Sequence, residues 1–331
     1  MKIKSIKKIK YSGPVYNLSV VDNNNYFAND FLVHNCHHAK SNSIQTIAKK
    51  CTNAEYRLGF TGTVPTAEID KMNIFGYLGQ QLIEIKSREL IEKGILSEIS
   101  VANLILKYPV EIIEKYFQFA KEINPETGKE KWRKADYSEE EKIVELCESR
   151  NLIFNWIFSL IPDKQNTLIL CKHIDHLKSL EEYLIKNLPD KFSVYIIYGG
   201  VEAEEREKIR LLVNTTENVI LLGTYATLST GINIPKLHNC IFASSYKSKI
   251  KIIQSIGRGL RTHESKERLI VWDVIDDLSY LVTKKGKRSA KDANYLFKHF
   301  LERLKYYQEQ EFKYFSKEIY LTELEKRFHA L

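Results

Sequence analysis

The first 35 residues carry short runs in which apolar and polar side chains alternate. The segment Tyr16–Val20 places apolar side chains at every second position, which is typical of a half-buried strand. Tyr26–Ala28 and Phe31–Val33 are two further apolar runs, each bounded by Asn and Asp residues that favour turns. The pattern predicts short β-strands. A segment this small cannot bury a stable core alone, so it needs a partner to fold.

A different pattern governs residues 151–283, where short apolar runs alternate with helical periodicity. The predicted strands are Thr167–Cys171, Ser193–Tyr198, Val219–Leu222, Cys240–Ala243 and Leu269–Val274. The predicted helices cover residues 174–187, 202–213 and 247–256. Strand–helix alternation at this spacing predicts an α/β domain with a doubly wound parallel sheet.

The segments on either side of this domain are less regular. Residues 43–51 and 86–98 have helical periodicity, and Tyr56–Phe60 and Ser100–Tyr108 are predicted strands. Residues 109–150 are polar and mostly helical in pattern, and we place the domain linker there. In residues 290–331 the apolar side chains recur at helical intervals, which predicts an amphipathic helix or a pair of helices. These apolar side chains are Leu296, Phe300, Leu304 and Tyr307.

Composition excludes a membrane span and a secretory signal. No apolar run approaches the roughly 18 residues that a spanning helix needs, and lysines interrupt the N-terminal segment. The five cysteines are widely scattered without metal-type spacing, which fits a reducing cytoplasm and predicts no metal site in this chain.

The net charge of +8 is concentrated at the two ends of the chain. Residues 1–35 have five basic and two acidic residues, and residues 246–331 have nineteen basic and twelve acidic ones. A basic C-terminal third favours a polyanionic partner such as nucleic acid, although a solvated charged helix face explains the charge equally well. Residues 284–288 could contact nucleic acid directly, while core packing is the alternative role for the helices that follow.

The sequence His34-Asn35-Cys36 brings together three groups that self-excision requires. An Asn side-chain amide can attack its own backbone carbonyl and cut the chain after itself. A neighbouring His assists this step, and a Cys thiolate is a good acyl acceptor. The alternative is a strand end that runs into a loop with a free cysteine. Three residues alone do not decide between the two.

The flanking residues resemble the C-terminal motifs of an intein. They are Val15–Val20 and Asn25–Cys36, and the segment from Met1 has the length of the C-terminal fragment of a split intein. The resemblance implies that Asn35 forms a succinimide, that His34 assists it, and that Cys36 accepts the thioester. Asn24 stands where the family usually has a histidine, which puts the rate or completeness of excision in doubt.

Four loops are candidates for ligand binding. Thr61-Gly62-Thr63 follows a predicted strand, at the end where ligands bind in open α/β sheets. Gly199-Gly200 and Ser229–Pro235 combine small or hydroxyl residues with glycine, so that backbone N–H groups can approach phosphate oxygens. Gln254–Arg261 places two arginines three residues apart between glycines, and guanidinium groups in such positions suit a γ-phosphate. Each loop alone could be ordinary turn chemistry.

In this order the loops resemble those of a superfamily 2 DNA helicase of the phage UvsW-like type, from about Cys36 to the C-terminus. Further matching stretches are Lys247–Ile250, Val271–Asp277 and Asn294–Leu296. The predicted nucleic-acid contacts are Thr61, Gly62, Thr63, Gly199, Gly200, Thr224, Ser229 and Thr230. The predicted ATP contacts are Gly231, Asn233, Arg258 and Arg261, with Gln254 and His37 acting in ATP hydrolysis.

The helicase resemblance implies RecA-like motor domains. Together with the intein resemblance and the polar connector, it divides the chain into five segments. These are a short all-β half-intein (1–35), the end of a first RecA-like domain (36–108), a helical connector (109–150), a second RecA-like domain (151–283) and basic amphipathic helices (284–331). The phage resemblance implies a location in the host cytoplasm, with DNA, branched or single-stranded, as partner and RNA in R-loops as a further one.

Two parts of a helicase motor are absent from the 331 residues. There is no Gly-x-x-x-x-Gly-Lys-Ser/Thr loop, and Cys36-His37 supplies only the last two positions of the Asp-Glu-x-His box. We therefore expect a complementary N-terminal half that ends in Asp-Glu, is joined by trans-splicing, and holds most of ATP and Mg²⁺. The alternative is a non-enzymatic, nucleic-acid-binding remnant of a helicase.

Overall fold

The computed structural model describes most of the chain from residue 68 onward and a little of the part before it. The described residues are 25–28, 31–34, 46, 50, 68–109, 111–112, 121–128, 130–132, 135–228, 234–246, 256–257, 262–279 and 293–328. The chain divides into an N-terminal unit, Met1–Glu84, and a C-terminal unit, Ile85–Leu331. Among the described helices, none combines the length and the apolar character that crossing a membrane requires.

The N-terminal unit contains a β-hairpin close to the predicted splice junction. Strands β1 (Asn25–Ala28) and β2 (Phe31–His34) pair antiparallel, with Asn25 opposite His34. The two strands predicted at these positions are therefore confirmed. Helix α1 (Glu68–Leu78) follows later in this unit. The strand predicted at Tyr56–Phe60 lies outside the described residues.

The C-terminal unit is built on a seven-stranded parallel sheet. Its strands and those of a small antiparallel hairpin (β4 and β5) are β3 (Glu98–Lys107), β4 (Lys121–Ile123), β5 (Glu130–Trp132), β6 (Thr167–Cys171), β7 (Ser193–Ile197), β8 (Val219–Thr224), β9 (Asn239–Phe242), β10 (Arg268–Asp277) and β11 (Lys313–Tyr320). The order across the large sheet is β11-β3-β10-β9-β6-β8-β7. The predicted doubly wound parallel sheet is confirmed.

Helices cover both faces of this sheet. They are α2 (Ser87–Glu92), α3 (Tyr137–Leu146), α4 (Leu152–Leu160), α5 (Ile174–Asn187), α6 (Ala203–Thr215), α7 (Tyr225–Leu228), α8 (Tyr295–Glu309) and α9 (Leu321–Phe328). Within β6, Ile169 packs on the side of α4 and α5, while Leu168 and Leu170 pack on the opposite side. Burial on both faces explains why the strands are continuous apolar runs in the sequence.

Strand β3 was predicted as a strand but assigned to another domain, and strand β11 lies where helices were predicted. The strand predicted at the end of the first RecA-like domain is β3, which pairs with both β10 and β11. The two compact units divide after Glu84, and the predicted domain limits at residues 108 and 150 stay predictions. The helices predicted for residues 284–331 are interrupted by β11, whose aromatic residues suit a strand once β3 offers an edge for pairing.

The predicted connector, residues 109–150, is in part fixed to the C-terminal unit. Asp136 and Glu139 form a capping box at the start of α3. The buried Glu140 carboxylate accepts hydrogen bonds from the backbone N–H groups of Tyr295 (3.0 Å) and Leu296 (3.0 Å), at the start of α8. A carboxylate at a helix N-terminus satisfies free N–H groups and favours the helix dipole. Helix α3 is therefore part of the folded unit.

Candidate functional site

Three adjacent strands, β6, β8 and β7, bring candidate residues to one edge of the sheet. Thr224 ends β8, and Gly199 and Gly200 come shortly after β7. Because the strands are parallel, their carboxyl ends meet at the same edge, where ligands bind in open α/β sheets. A Cβ atom at Gly200 would lie 2.8 Å from Cε2 of the Tyr198 ring, whereas Gly199 has open space around it. Gly200 thus lets the Tyr198 ring lie against the backbone.

Thr224 has an internal hydrogen-bonding role at this edge. Its Oγ1 accepts a hydrogen bond from the Thr227 backbone N–H (3.2 Å) and lies 2.9 Å from the Thr227 hydroxyl. The side chain is buried, and it caps the short helix α7. The predicted nucleic-acid contact of Thr224 stays a prediction.

A polar cluster that the sequence reasoning missed lies beyond the end of β6. The Lys172 ammonium donates to both carboxylate oxygens of Glu141 (2.7 Å each) and lies 4.4 Å from the Tyr137 ring centre. His173 Nδ1 lies 2.7 Å from a Glu145 carboxylate oxygen. The only sequence signal for this polar cluster was the acidic run of α3. Nothing in the sequence indicated that this run faces the carboxyl end of β6.

A buried ion pair anchors the end of β10 to the 3₁₀ helix Glu148–Asn151. The Arg150 guanidinium donates to both Asp276 oxygens (2.7 and 3.0 Å) and to the Ala243 carbonyl (2.7 Å). The Tyr108 hydroxyl donates to the same Asp276 carboxylate at 2.6 Å. Burial alone would lower the pKa of Arg150, but the adjacent Asp276 carboxylate outweighs it and raises the pKa.

A second buried pair joins β10 to α8. Arg303 donates to both Asp273 oxygens (2.8 Å each), and the Tyr307 hydroxyl donates to Asp273 at 2.9 Å. Arg303 also reaches the Ser245 hydroxyl at 3.2 Å. Burial followed by the Asp273 charge raises the pKa of Tyr307 well above its usual value. Both arginines are therefore occupied by aspartates inside the protein.

Three described cations of the C-terminal unit are engaged by carboxylates of the same unit. Lys172, Arg150 and Arg303 all bind carboxylates of the same unit, so these cations are not available to phosphate oxygens. Within the described residues, no group of three or more His, Cys, Asp or Glu side chains could hold a metal ion.

Most of the predicted site residues lie outside the described residues. His34 is described as the last residue of β2. The predicted site residues outside the described residues are Asn35, Cys36, His37, Thr61, Gly62, Thr63, Ser229, Thr230, Gly231, Asn233, Gln254, Arg258 and Arg261. The description resumes at Ile234, near the end of the motif Ser229–Pro235, and at Thr262, directly after Arg261.

The buried His176, close to this polar cluster, predicts a pH dependence of stability. Its ring is buried, with Nδ1 3.2 Å from the Ser244 hydroxyl, and burial, then the charges of Arg150 and His173, lower its pKa to about 3. The unfolded chain binds this proton below about pH 6.5, so the stabilising contribution is present above that pH and is lost as pH falls toward 3.

We expect His176→Gln to reduce the loss of unfolding free energy between pH 7 and pH 5 by about 2 kcal/mol. Urea unfolding of the whole chain at the two pH values measures the difference. His263→Gln, at a less buried ring, is the control. An unchanged pH dependence in His176→Gln would contradict the assignment.

The comparisons with known proteins show that part of this unit is similar to helicases. Residues 149–263 match the family described as "Helicase conserved C-terminal domain". The chain is 31% identical over 293 residues to the ATP-dependent DNA helicase uvsW of Enterobacteria phage T4, covering 86% of this chain and 54% of that protein. A protein of the Sulfolobus islandicus filamentous virus, also named as a helicase, is 25% identical over 268 residues, covering 80% of this chain and 45% of that protein. The chain thus spans about half the length of these curated relatives.

Solved structures agree at the level of the fold. The crystal structure of T4 UvsW matches with a TM-score of 0.51 and 29% identity, covering 87% of this chain and 53% of that chain. The type ISP restriction-modification enzyme LlaBIII matches with a TM-score of 0.57 at 16% identity, covering 91% of this chain and 22% of that chain, which shows the fold alone. None of these similarities concerns protein splicing.

Proposed function

We propose that this chain forms the C-terminal half of an ATP-dependent DNA helicase, because it contains a helicase C-terminal domain related to that of T4 UvsW. The observation that carries the proposal is the 31% identity to the T4 helicase over 293 residues. The parallel sheet, with Thr224 and Gly199-Gly200 at one edge, supports it. The DNA would be branched or single-stranded, with R-loops as a further substrate.

The motor in this proposal needs a second half. The 331 residues have no Gly-x-x-x-x-Gly-Lys-Ser/Thr loop, and the described cations Lys172, Arg150 and Arg303 are bound to carboxylates. Hydrolysis of Mg²⁺-bound ATP supplies the free energy for strand separation. Arg258 and Arg261 would reach the γ-phosphate, Gly231 and Asn233 would lie beside the nucleotide, and Gln254 and His37 would act in hydrolysis.

Joining this chain to an N-terminal helicase half tests the proposal. We expect DNA-stimulated ATP hydrolysis and displacement of a labelled strand from a forked duplex by the joined protein. The unjoined chain is expected to hydrolyse no ATP, because the phosphate-binding loop is missing. ATPase activity of the pure chain, or a joined protein without DNA-stimulated hydrolysis, would refute the proposal.

A second candidate function concerns residues 1–35, which we propose to be the C-terminal fragment of a split intein. The favouring observation is that β2 of the hairpin ends at His34, directly before Asn35 and Cys36. The N-terminal half would first be transferred to the Cys36 thiol as a thioester.

The Asn35 side-chain nitrogen would then attack its own carbonyl and break the bond to Cys36 as a succinimide forms. The freed Cys36 amine would take over the acyl group, so that sulfur leaves and a peptide bond remains. The complementary half is therefore the partner that this function requires.

We expect Asn35→Ala to abolish release of the 35-residue fragment when the chain is mixed with its complementary half. The variant has no side-chain amide to cyclise, so the branched thioester should accumulate instead. Intact-mass spectrometry measures both species. Asn23→Ala is the control, since it removes an asparagine that lies outside both intein-like motifs. Normal release by Asn35→Ala would rule out the splicing assignment.

The alternative from another class is a nucleic-acid-binding remnant without enzymatic activity. It predicts salt-dependent DNA binding by the chain, with no covalent product from any partner. A reading frame that encodes a phosphate-binding loop, ends in Asp-Glu and continues into an intein N-terminal fragment would decide against the remnant. The splicing and strand-displacement assays separate the same alternatives in solution.

A further inference from the structure

His238 connects two segments that flank the predicted nucleotide motifs. It lies three residues after Pro235, the last residue of the motif Ser229–Pro235, and just before β9. The Asn166 backbone N–H donates to His238 Nδ1 at 3.1 Å, which places the ring proton on Nε2. Nε2 then donates to the Ser265 carbonyl oxygen at 3.2 Å.

Asn166 makes the other end of this connection rigid. Its buried side chain donates to the carbonyls of Val213 (2.7 Å) and Thr216 (2.9 Å), and accepts from the Val219 N–H at 3.0 Å. These bonds fix the end of α6 and the start of β8. The His238 ring is thus fixed on one side by Asn166, and its other side contacts the Ser265 segment.

The Ser265 segment is a tight turn shortly after Arg261. The Lys266 N–H donates to the His263 carbonyl at 3.0 Å. The Ser265 N–H donates to His263 Nδ1 at 3.2 Å, and the Ser265 hydroxyl lies 2.8 Å from the same nitrogen. His263 is two residues after Arg261, so this turn lies close to the end of the arginine motif in the sequence.

Lys266 makes a second bond between the two segments. Its side chain is largely buried, and Nζ donates to the Pro235 carbonyl at 3.2 Å. Burial lowers the pKa of Lys266 to about 8, so keeping the ammonium charged inside the protein costs free energy. A buried lysine with a lowered pKa that joins two segments is a candidate for a positioning role.

We infer that His238 and Lys266 are positioning residues that clamp the segment after Ser229–Pro235 to the segment after Gln254–Arg261. The inference rests on the proposed function. By fixing both segments together, the clamp would hold Arg258 and Arg261 in one place relative to the nucleotide-contacting loop. Misplacement of a catalytic group by about 1 Å can cost about 10²-fold in rate.

The first test is the ATPase activity of the joined helicase with Lys266→Met, which keeps side-chain length and removes the charge. We expect kcat to fall about 10- to 100-fold while KM for ATP changes less than about threefold, because the clamp acts on transition-state contacts. The melting temperature should be unchanged or higher. Lys266→Arg should recover part of kcat, and Lys305→Met, at an exposed lysine paired with Glu302, should behave as wild type.

The second test needs no ATP hydrolysis. Hydrogen exchange of the unjoined chain is followed by mass spectrometry in peptides that span residues 234–239 and 256–266. We expect faster exchange in both peptides for Lys266→Met, and no change for Lys305→Met.

Unchanged hydrogen exchange in the two peptides would overturn the inference. So would a loss of both kcat and melting temperature in Lys266→Met that Lys266→Arg does not recover. If the wild-type joined protein had no ATPase activity, the proposed function would fail. The exchange measurement would still decide whether the clamp exists.

Discussion

Arg150→Met is expected to lower the free energy of unfolding of the C-terminal unit by about 3–5 kcal/mol, because it leaves a buried carboxylate without its partner. The Asp276 side chain is fully buried, and the Arg150 fork contributes two of its hydrogen bonds. After the substitution the Tyr108 hydroxyl still donates to Asp276, but no cation compensates the charge. Urea unfolding followed by circular dichroism measures the loss.

A double variant separates the cost of leaving Asp276 unpaired from the contribution of the ion pair itself. Arg150→Met combined with Asp276→Leu removes both charges, and we expect it to recover most of the stability, since an apolar replacement of a buried pair is often neutral. Arg210→Met is the matched control, because its pair with Glu207 lies on the surface of α6 and contributes at most about 1 kcal/mol. A double variant less stable than Arg150→Met would contradict this account.

Arg258→Ala and Arg261→Ala are each expected to lower kcat of the joined helicase for ATP by about 10³- to 10⁵-fold. The expectation rests on the proposed function, in which both guanidinium groups stabilise charge on the γ-phosphate during transfer. Because that charge develops in the transition state, KM for ATP should change little. Steady-state hydrolysis with saturating DNA measures both constants.

Arg88→Ala is the control for this pair of variants. Arg88 lies on α2 and pairs with Glu92, so its removal changes the net charge equally without touching the arginine motif. We expect its kcat to equal that of the wild type. A fall of less than about tenfold in both Arg258→Ala and Arg261→Ala would show that neither arginine has the proposed role.

The strands at the centre of the sheet were predictable because their signal is local. Thr167–Cys171 and Val219–Thr224 are apolar runs, and burial on both faces requires such runs whatever lies next to them. The membership of β3 was not predictable in this way. Its partners are far along the chain, and a strand pattern does not state which sheet will receive it.

The candidate site shows the same division between local and distant information. Gly199-Gly200 and Thr224 were identified from loops next to strands, and the parallel topology brings them to one edge. The Arg150–Asp276 pair joins residues 126 apart, and a lone arginine after an acidic helix carries no signal of burial. Likewise, nothing in the local sequence indicates that the Lys266 ammonium reaches the Pro235 carbonyl.

The position of β3 between β10 and β11 also has a consequence for biosynthesis. Lys107 and Asp277, which pair at the end of these strands, are 170 residues apart, and Asn103 and Ser316 are 213 apart. During synthesis, the apolar strand β3 lacks both of its neighbours until β10 and β11 have left the ribosome. Long-range parallel pairing is slow and leaves such a strand open to aggregation. The ribosome-bound chain should therefore be the form most in need of a chaperone.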